Sequence, residues 1–410
     1  MKRKRGKPHR PQRAGGGRQE PPTSAGQPAG PPPPLAAELR RTIPLVIGIS
    51  ILNFLLASFG ILRPMQLGVL DTWLRIRALR PDPKNIVIVA ITNNDYETLF
   101  KSTSPLDPSE LRELIDAIAL GRPKVIGVDI DTSDARFREL QLDPRWPPVV
   151  WASVPEQLDK GRFTVRPVLG GDVAGALSGV ALLPQEDNYV RDYLRQVVSD
   201  HGILDSFPVA IARLYRGSPA QESSSLEHTW DSERLLDFWG APDQAYRFDT
   251  YSASTVLQGA RGSAWQSEGV LNGKIVLLAG TYEAGRDRYQ TPVGMMSGTE
   301  ILAEAIETEL HGGGVRPPSE PLLFLLNAVV GVALILVYEE WGFRVGAVAN
   351  AIAIPVVPPV LSLACFSSTR YWIVFLLMPI ALLIEQTYLH GRKRQKEALL
   401  RLYRLVRGKG

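Results

Sequence analysis

Three polar clusters in this chain follow directly on apolar runs, and their side chains could do chemistry. Thr92-Asn93-Asn94-Asp95 follows the run Ile86 to Ile91. Asp129-Ile130-Asp131-Thr132-Ser133-Asp134 closes the run that begins at Lys124. Gly280-Thr281 follows Lys274 to Ala279 and continues through Arg286 and Asp287 to Thr291. If the ends of these runs lie side by side, Asn94, Asp95, Asp129, Asp131, Thr281, Arg286, Asp287 and Thr291 form a ligand-binding set of carboxylates, an amide, hydroxyls and a guanidinium. The same residues admit two other readings. Asp129 and Asp131 could form an acid–base pair for a hydrolase, or with Asp287 they could hold a hard cation. An acidic loop that is simply solvated is the plainer account of Asp129, Asp131 and Asp134.

The third cluster has the strand-then-G-x-x-x-x-G layout of a phosphate-binding loop, Gly280 to Gly285. That chemistry needs a lysine for the terminal phosphates and a hydroxyl for magnesium at the next two positions, which are Arg286 and Asp287 here. A carboxylate would sit where the anion should, and Thr291-Pro292 follows too soon for a helix to cradle it. The pattern argues against nucleotide hydrolysis. No G-x-S-x-G elbow occurs between 64 and 319, and His201, His228 and His311 lack metal-ligand spacing. No catalytic residue, metal or cofactor is expected.

These clusters need a sheet to hold them. The run from Asn85 to Ile91 is apolar without alternation, as in a strand covered on both faces. Asp107-Pro108-Ser109-Glu110 reads as a helix start. Leu111, Leu114, Ile115 and Ile118 make its apolar stripe and Gly121 its end. Lys124–Ile130, Val149–Val154 and Lys274–Ala279 read as further strands, and Thr299–Leu310 as a helix with Ile301, Leu302, Ala305 and Ile306 inward. The first helix joins two strands in a right-handed βαβ unit. The fold class is therefore α/β with a largely parallel sheet, in which ligands bind outside the carboxyl ends of the strands. Gly217 to Ser232 reads as a surface loop.

Charge and hydropathy then place this domain. The chain has 410 residues and a net charge of +4. Residues 1–41 hold ten Lys or Arg against two acids, and residues 391–410 hold eight against one, which leaves −11 between them. Uncharged runs cover Thr42–Leu62, Pro321–Tyr338, Val345–Thr369 and Tyr371–Ile384. A bilayer core about 30 Å thick takes roughly 20 helical residues, so four transmembrane helices are expected at about 43–63, 320–338, 345–366 and 371–390. One precedes the α/β domain and three follow it. Arg40-Arg41 and Arg392-Lys393-Arg394 flank the outer spans and put both termini in the cytoplasm, with residues 64–319 extracytoplasmic. The first span is longer than a signal-peptide core and lacks a cleavage site, so it is expected to stay as an anchor. The Gly- and Pro-rich basic tail 1–41 is expected to be disordered and to contact anionic lipid rather than nucleic acid. The basic amphipathic stretch 391–410 is expected to lie on anionic lipid or to dock a cytoplasmic partner. Cys365, the single cysteine, falls within a span, so no disulfide is possible within the chain.

Several stretches resemble the type-two CHASE domain, an extracytoplasmic sensor module of bacterial signalling receptors. GKIVLLAG at 273–280, Asp287, Thr291-Pro292 and Gly298-Thr-Glu-Ile-Leu-Ala303 resemble its C-terminal signature. Asp71-Thr-Trp-Leu-Arg75 resembles its entry, Ile86–Ile91 its first strand and Val125-Ile-Gly-Val-Asp129 its second. Tyr189-Val-Arg191 resembles its short D-G-x-x-R turn, with Asn188 where glycine is common. Phe238-Trp-Gly240 and Tyr251–Val256 resemble later segments. Thr92–Asp95 and Ser104–Pro108 depart from the usual pattern. The resemblance spans about 43–390 and implies a plasma-membrane sensor for a small-molecule or envelope ligand. The chain is expected to lack an output enzyme and to act through a cytoplasmic signalling partner or a second copy of itself.

Overall fold

The computed structural model describes residues 63–77, 84–157, 163–171, 173–200, 202–218, 233–238, 247–262, 269–283 and 287–314, with thirteen isolated positions elsewhere. All lie in one compact unit, Val46–Gly410. The expected spans, both tails, most of the 217–232 loop and Arg286 lie outside the described residues, those isolated positions apart. Among the described residues no helix is long and apolar enough to cross a membrane.

The central sheet has six strands. They are β1 (Ile86–Ile91), β2 (Val125–Asp129), β3 (Val149–Ser153), β6 (Leu177–Val180), β11 (Asp249–Ser252) and β12 (Ile275–Gly280). Their order is β11-β1-β12-β2-β3-β6, and every pairing is parallel. The expected unit from β1 through a helix to β2 forms, but β12 from the far end of the domain lies between its two strands.

All six residues of β1 are buried, which explains their unbroken apolarity, because alternate residues serve two cores. Val87, Val89 and Ile91 pack with Val276 and Leu278 against α3 (Pro108–Leu120) and α5 (Ala253–Arg261). Ile86, Ile88, Ile275 and Leu277 pack against α4 (Phe207–Arg216) and α6 (Gly298–Leu310). Each such side chain, fully buried, contributes about 1.5–3 kcal/mol. Gly127 on β2 is required by this layering, since an added Cβ would meet Ile211 Cδ1 at 2.5 Å and Leu277 Cδ2 at 2.7 Å.

The helix starts follow their local sequence. The Asp107 side chain accepts from the Ser109 amide at 2.8 Å, with Pro108 in the first turn of α3. Ser297 and Glu300 close a reciprocal capping box on α6. A further helix, α1 (Arg63–Arg77), buries Leu67, Leu70, Trp73 and Leu74 in a third cluster with Val293, Met296, Ile301 and Ala305.

The smaller sheets are not apparent from the sequence. β4 (Pro155–Gln157), β5 (Phe163–Val165), β8 (Gln196–Ser199) and β9 (Gly202–Asp205) form one of mixed direction. β7 (Asp192–Leu194) pairs with β10 (Glu233–Leu235), and β13 (Arg288–Thr291) with β14 (Gly294–Ser297), both antiparallel.

Candidate functional site

Because β1, β12 and β2 are parallel neighbours, their carboxyl ends form one edge, and the three polar clusters meet there. They do so in an order that only the sheet topology supplies.

At the end of β1 the chain turns at once into α2 (Asn93–Thr98). Thr92 caps it, and the Asp95 carboxylate accepts from the Thr92 amide at 3.0 Å and its hydroxyl at 2.8 Å. The other oxygen of Asp95 accepts from the Ser254 amide at 3.2 Å, at the start of α5. Asp95 is fully buried. Burial disfavours its charge, but the hydrogen bonds from Thr92 and Ser254 outweigh it and hold the carboxyl below its ordinary range. Its oxygens join α2 to α5, so in this structure Asp95 acts as a clamp between the two helices. Asn94 is exposed on α2. The amide oxygen of Asn93 reaches across to accept from the Glu283 amide at 2.7 Å, and Tyr96 stacks on Tyr282 with centroids 4.3 Å apart. Thr281 is exposed, its amide donating to Ile91 O at 3.0 Å. The exits of β1 and β12 are thus latched together.

The exit of β2 divides its acids. Asp131 has left the sheet, is exposed, and pairs with Arg166 at 3.4 Å. Asp134 caps the short 3-10 turn Ala135–Glu139. Asp129 stays at the strand end, where the Thr299 hydroxyl donates to it at 3.3 Å and the neighbouring charge is that of Asp287. The carboxyl partner of Asp129 is therefore Asp287, brought in by the start of β13, and not the expected Asp131. Thr291 is fully buried and its hydroxyl donates to Gly294 O at 2.7 Å, sealing the turn of the β13–β14 hairpin.

Asp129 and Asp287 both converge on the N-terminus of α6. The Asp287 carboxylate lies against Gly298, where any Cβ would clash with both of its oxygens. Burial pushes Asp129 up to about 7, the charge of Asp287 adds to the rise, and the Thr299 hydrogen bond opposes it. Burial likewise raises Asp287, against hydrogen bonds from Tyr289 and the Gly298 amide. Tyr289 is itself pushed up to about 12 by burial and then by the charge of Asp287. Two carboxyls so placed ionise as a coupled pair, with the amide end of the helix partly favouring the charged forms. Such a pair can hold a proton near neutrality or accept from a donor-bearing ligand. Among the described residues no three His, Cys, Asp or Glu side chains could hold a metal ion. The only described histidine, His311, lies at the other end of α6.

Of the eight expected residues, Asp129 and Asp287 come together, and Asn94, Asp131 and Thr281 are exposed on the exits of the three strands. Asp95 and Thr291 serve the fold, and Arg286 lies outside the described residues. Asn93, Tyr289, Gly298 and Thr299 join the site without having been expected. Motifs far apart in sequence also prove to be contacts. Arg191 binds Asp71 through two hydrogen bonds, 2.7 and 3.0 Å, and Arg75 donates to Pro292 O at 2.6 Å. Asn188, where glycine was expected, has φ +66° beside Asp187 at +52°, a left-handed turn that asparagine tolerates.

A family model described as the CHASE2 domain matches residues 46–338. No curated protein and no solved structure matches the chain.

Proposed function

The chain belongs to the CHASE2 domain family, whose members are extracellular sensor domains, and we propose that it is a membrane-anchored extracytoplasmic sensor whose strand-end site controls its membrane helices. The observation that carries this reading is the placing of Asp129 and Asp287 on the first turn of α6. That helix ends at Leu310, shortly before the span expected from 320, and α1 begins at Arg63 where the first expected span ends. An event at the site therefore has a short mechanical path to both membrane entries.

Eight described apolar residues in the expected spans are in keeping with the membrane reading, while Leu363 packs against the cluster around α1. Ile47 and Ile51, Leu325 and Val329, Val345 and Val348, and Val356 and Val360 are helical and 44–61% exposed, three or four residues apart. This is the spacing of one helix face, and such a face suits lipid contact. A ligand at the site acts only through unequal affinity for two arrangements of the domain. The spans carry that difference to the basic segment 391–410 and to a cytoplasmic signalling partner or a second copy. The hydrolase alternative is disfavoured because Asp131 lies exposed beyond the end of β2, on the side of Arg166, while Asp129 stays at the strand end.

The test is accessibility in intact cells, with Cys365→Ser as background. A membrane-impermeant maleimide should label Glu139→Cys from outside and Leu399→Cys only after permeabilisation. Labelling of Leu399→Cys alone in intact cells would overturn the reading.

A further inference from the structure

We propose that the β13–β14 hairpin is a proton-gated strap that ties helix α1 to the Asp129–Asp287 pair. This deepens the sensor reading by naming the proton as an input, and it rests on that reading only for which compartment supplies the proton.

The base of the hairpin is in the site: Asp287 immediately precedes β13, and Tyr289 hydrogen-bonds its carboxylate. The far end of the hairpin is on α1. Pro292 O accepts from Arg75 Nε at 2.6 Å, and Val293 and Met296 pack in the cluster of Leu67, Leu70, Trp73 and Leu74. A second tie runs beside the first. Gln290 O accepts from the Val190 amide at 2.9 Å, and the adjacent Arg191 grips Asp71 on α1. One short hairpin therefore touches the carboxyl pair at its base and helix α1 at its far end, with the Val190–Arg191 segment bridging the two as well.

Among the described residues, the groups around the pair leave its charge weakly compensated. Facing it are the Tyr289 and Thr299 hydroxyls and the Gly298 amide. Of the next charged groups, Glu300 is closed in the capping box with Ser297, Asp131 is paired with Arg166, and Arg288 is exposed on β13. Arg286 lies outside the described residues. With both carboxyls ionised, like charges in a partly dry place push the base of the hairpin away from β2. Uptake of one proton converts a carboxylate to a carboxyl group, removes that repulsion and supplies a hydrogen-bond donor. The hairpin then seats on β2 and α6 and holds Pro292 and Gln290 against their partners. Acid locks the strap and alkali loosens it.

The experiment is amide hydrogen exchange on the purified full chain in lipid nanodiscs at pH 5.5 and 8.5, each corrected for intrinsic exchange. Protection of residues 67–75 and 287–297 should fall at least tenfold at the higher pH, while β1 and β12 stay unchanged. Asp129→Asn should keep both segments protected at pH 8.5, and Glu156→Gln, an exposed control, should respond as the wild type does. Equal protection of the wild type at the two pH values overturns the strap, as does a response that survives in Asp129→Asn. If that variant does not fold, the wild-type carboxyl titration decides by carbon-13 shifts, and a pair with no midpoint between pH 6 and 8 overturns the proposal. Because the protein is purified, a failure here is distinct from a failure of the cell-labelling test.

Discussion

Replacing Asp129 by Asn should stabilise the domain at alkaline pH and change it little in acid. Asp129 titrates at about 7 in the folded chain against an ordinary 3.8. Its elevation means that the native state binds more protons than the unfolded state between those values. Stability is therefore fully present below about pH 4 and is lost as pH rises through 7. Three units at 1.36 kcal/mol each set a ceiling of about 4 kcal/mol. Asp129 is only partly buried and shares its titration with Asp287, so about half of that, ~2 kcal/mol, is the working figure. Asparagine keeps an acceptor for the Thr299 hydroxyl and never ionises. Thermal unfolding should show Asp129→Asn about 4–8 °C above wild type at pH 8, taking roughly 2–4 °C per kcal/mol for a domain of this size. The gap should be about a third as wide at pH 5 and should close below about pH 4. If Asp129→Asn unfolds at lower temperature than wild type at pH 8, the carboxylate is held by a cation and the reasoning is refuted.

Further substitutions probe other parts of the same structure. Gly298→Ala puts a methyl group on the Asp287 oxygens and should destabilise by about 1–3 kcal/mol, the usual cost of overpacking, read by denaturant unfolding; Thr299→Ala should cost less. Asp95 has its carboxyl held below the ordinary range, so its contribution is present above about pH 4 and lost as pH falls through the lowered folded value; Asp95→Asn should lower the unfolding temperature at pH 7 and narrow its gap from wild type below pH 3. Arg247→Ala removes the guanidinium 3.6 Å from the fully buried Glu304 carboxylate and should cost up to about 3–5 kcal/mol, most of it recovered in Arg247→Met/Glu304→Leu.

The sequence discloses the strands that serve two cores, because β1 and β12 carry apolar runs too long to alternate. It also discloses α3 and α6, whose caps are local chemistry. It does not disclose that β12 separates β1 from β2, since that order is set by long-range packing and not by any neighbouring residue. The short strands β5 and β9 are mostly half-buried, so they show no clear period. Within the site, residue type was legible and partnership was not. Asp131 is two positions from Asp129, but β2 ends at Asp129 and the chain turns away. Asp287 arrives from the far end of the domain because Gly298 leaves room for it. Thr92-x-x-Asp95 was readable as a capping box, which would have assigned Asp95 to the fold.

The last helix shows why a disturbance at the site must pass to the hairpin. An apolar stripe of Ile301, Leu302, Ala305 and Ile306 accounts for one side of α6, yet Glu304, Glu307 and Glu309 are buried too. Each is met by a different part of the chain: Glu304 by Arg247, Glu307 by Asn85 and His311, Glu309 by Tyr193 and Arg195. Burying charge in this way contributes little to stability compared with apolar packing. What it fixes is position, since a stripe of similar aliphatic side chains tolerates a slip of one turn and polar contacts on three sides of the helix, two of them ion pairs, do not. The Thr308 hydroxyl, accepting from the Asp237 amide at 3.0 Å, adds a fourth tie. With α6 held in register along its length, repulsion between Asp129 and Asp287 is not relieved by rotating or sliding the helix. The freer neighbour is the two-stranded hairpin, whose outer end already rests on α1.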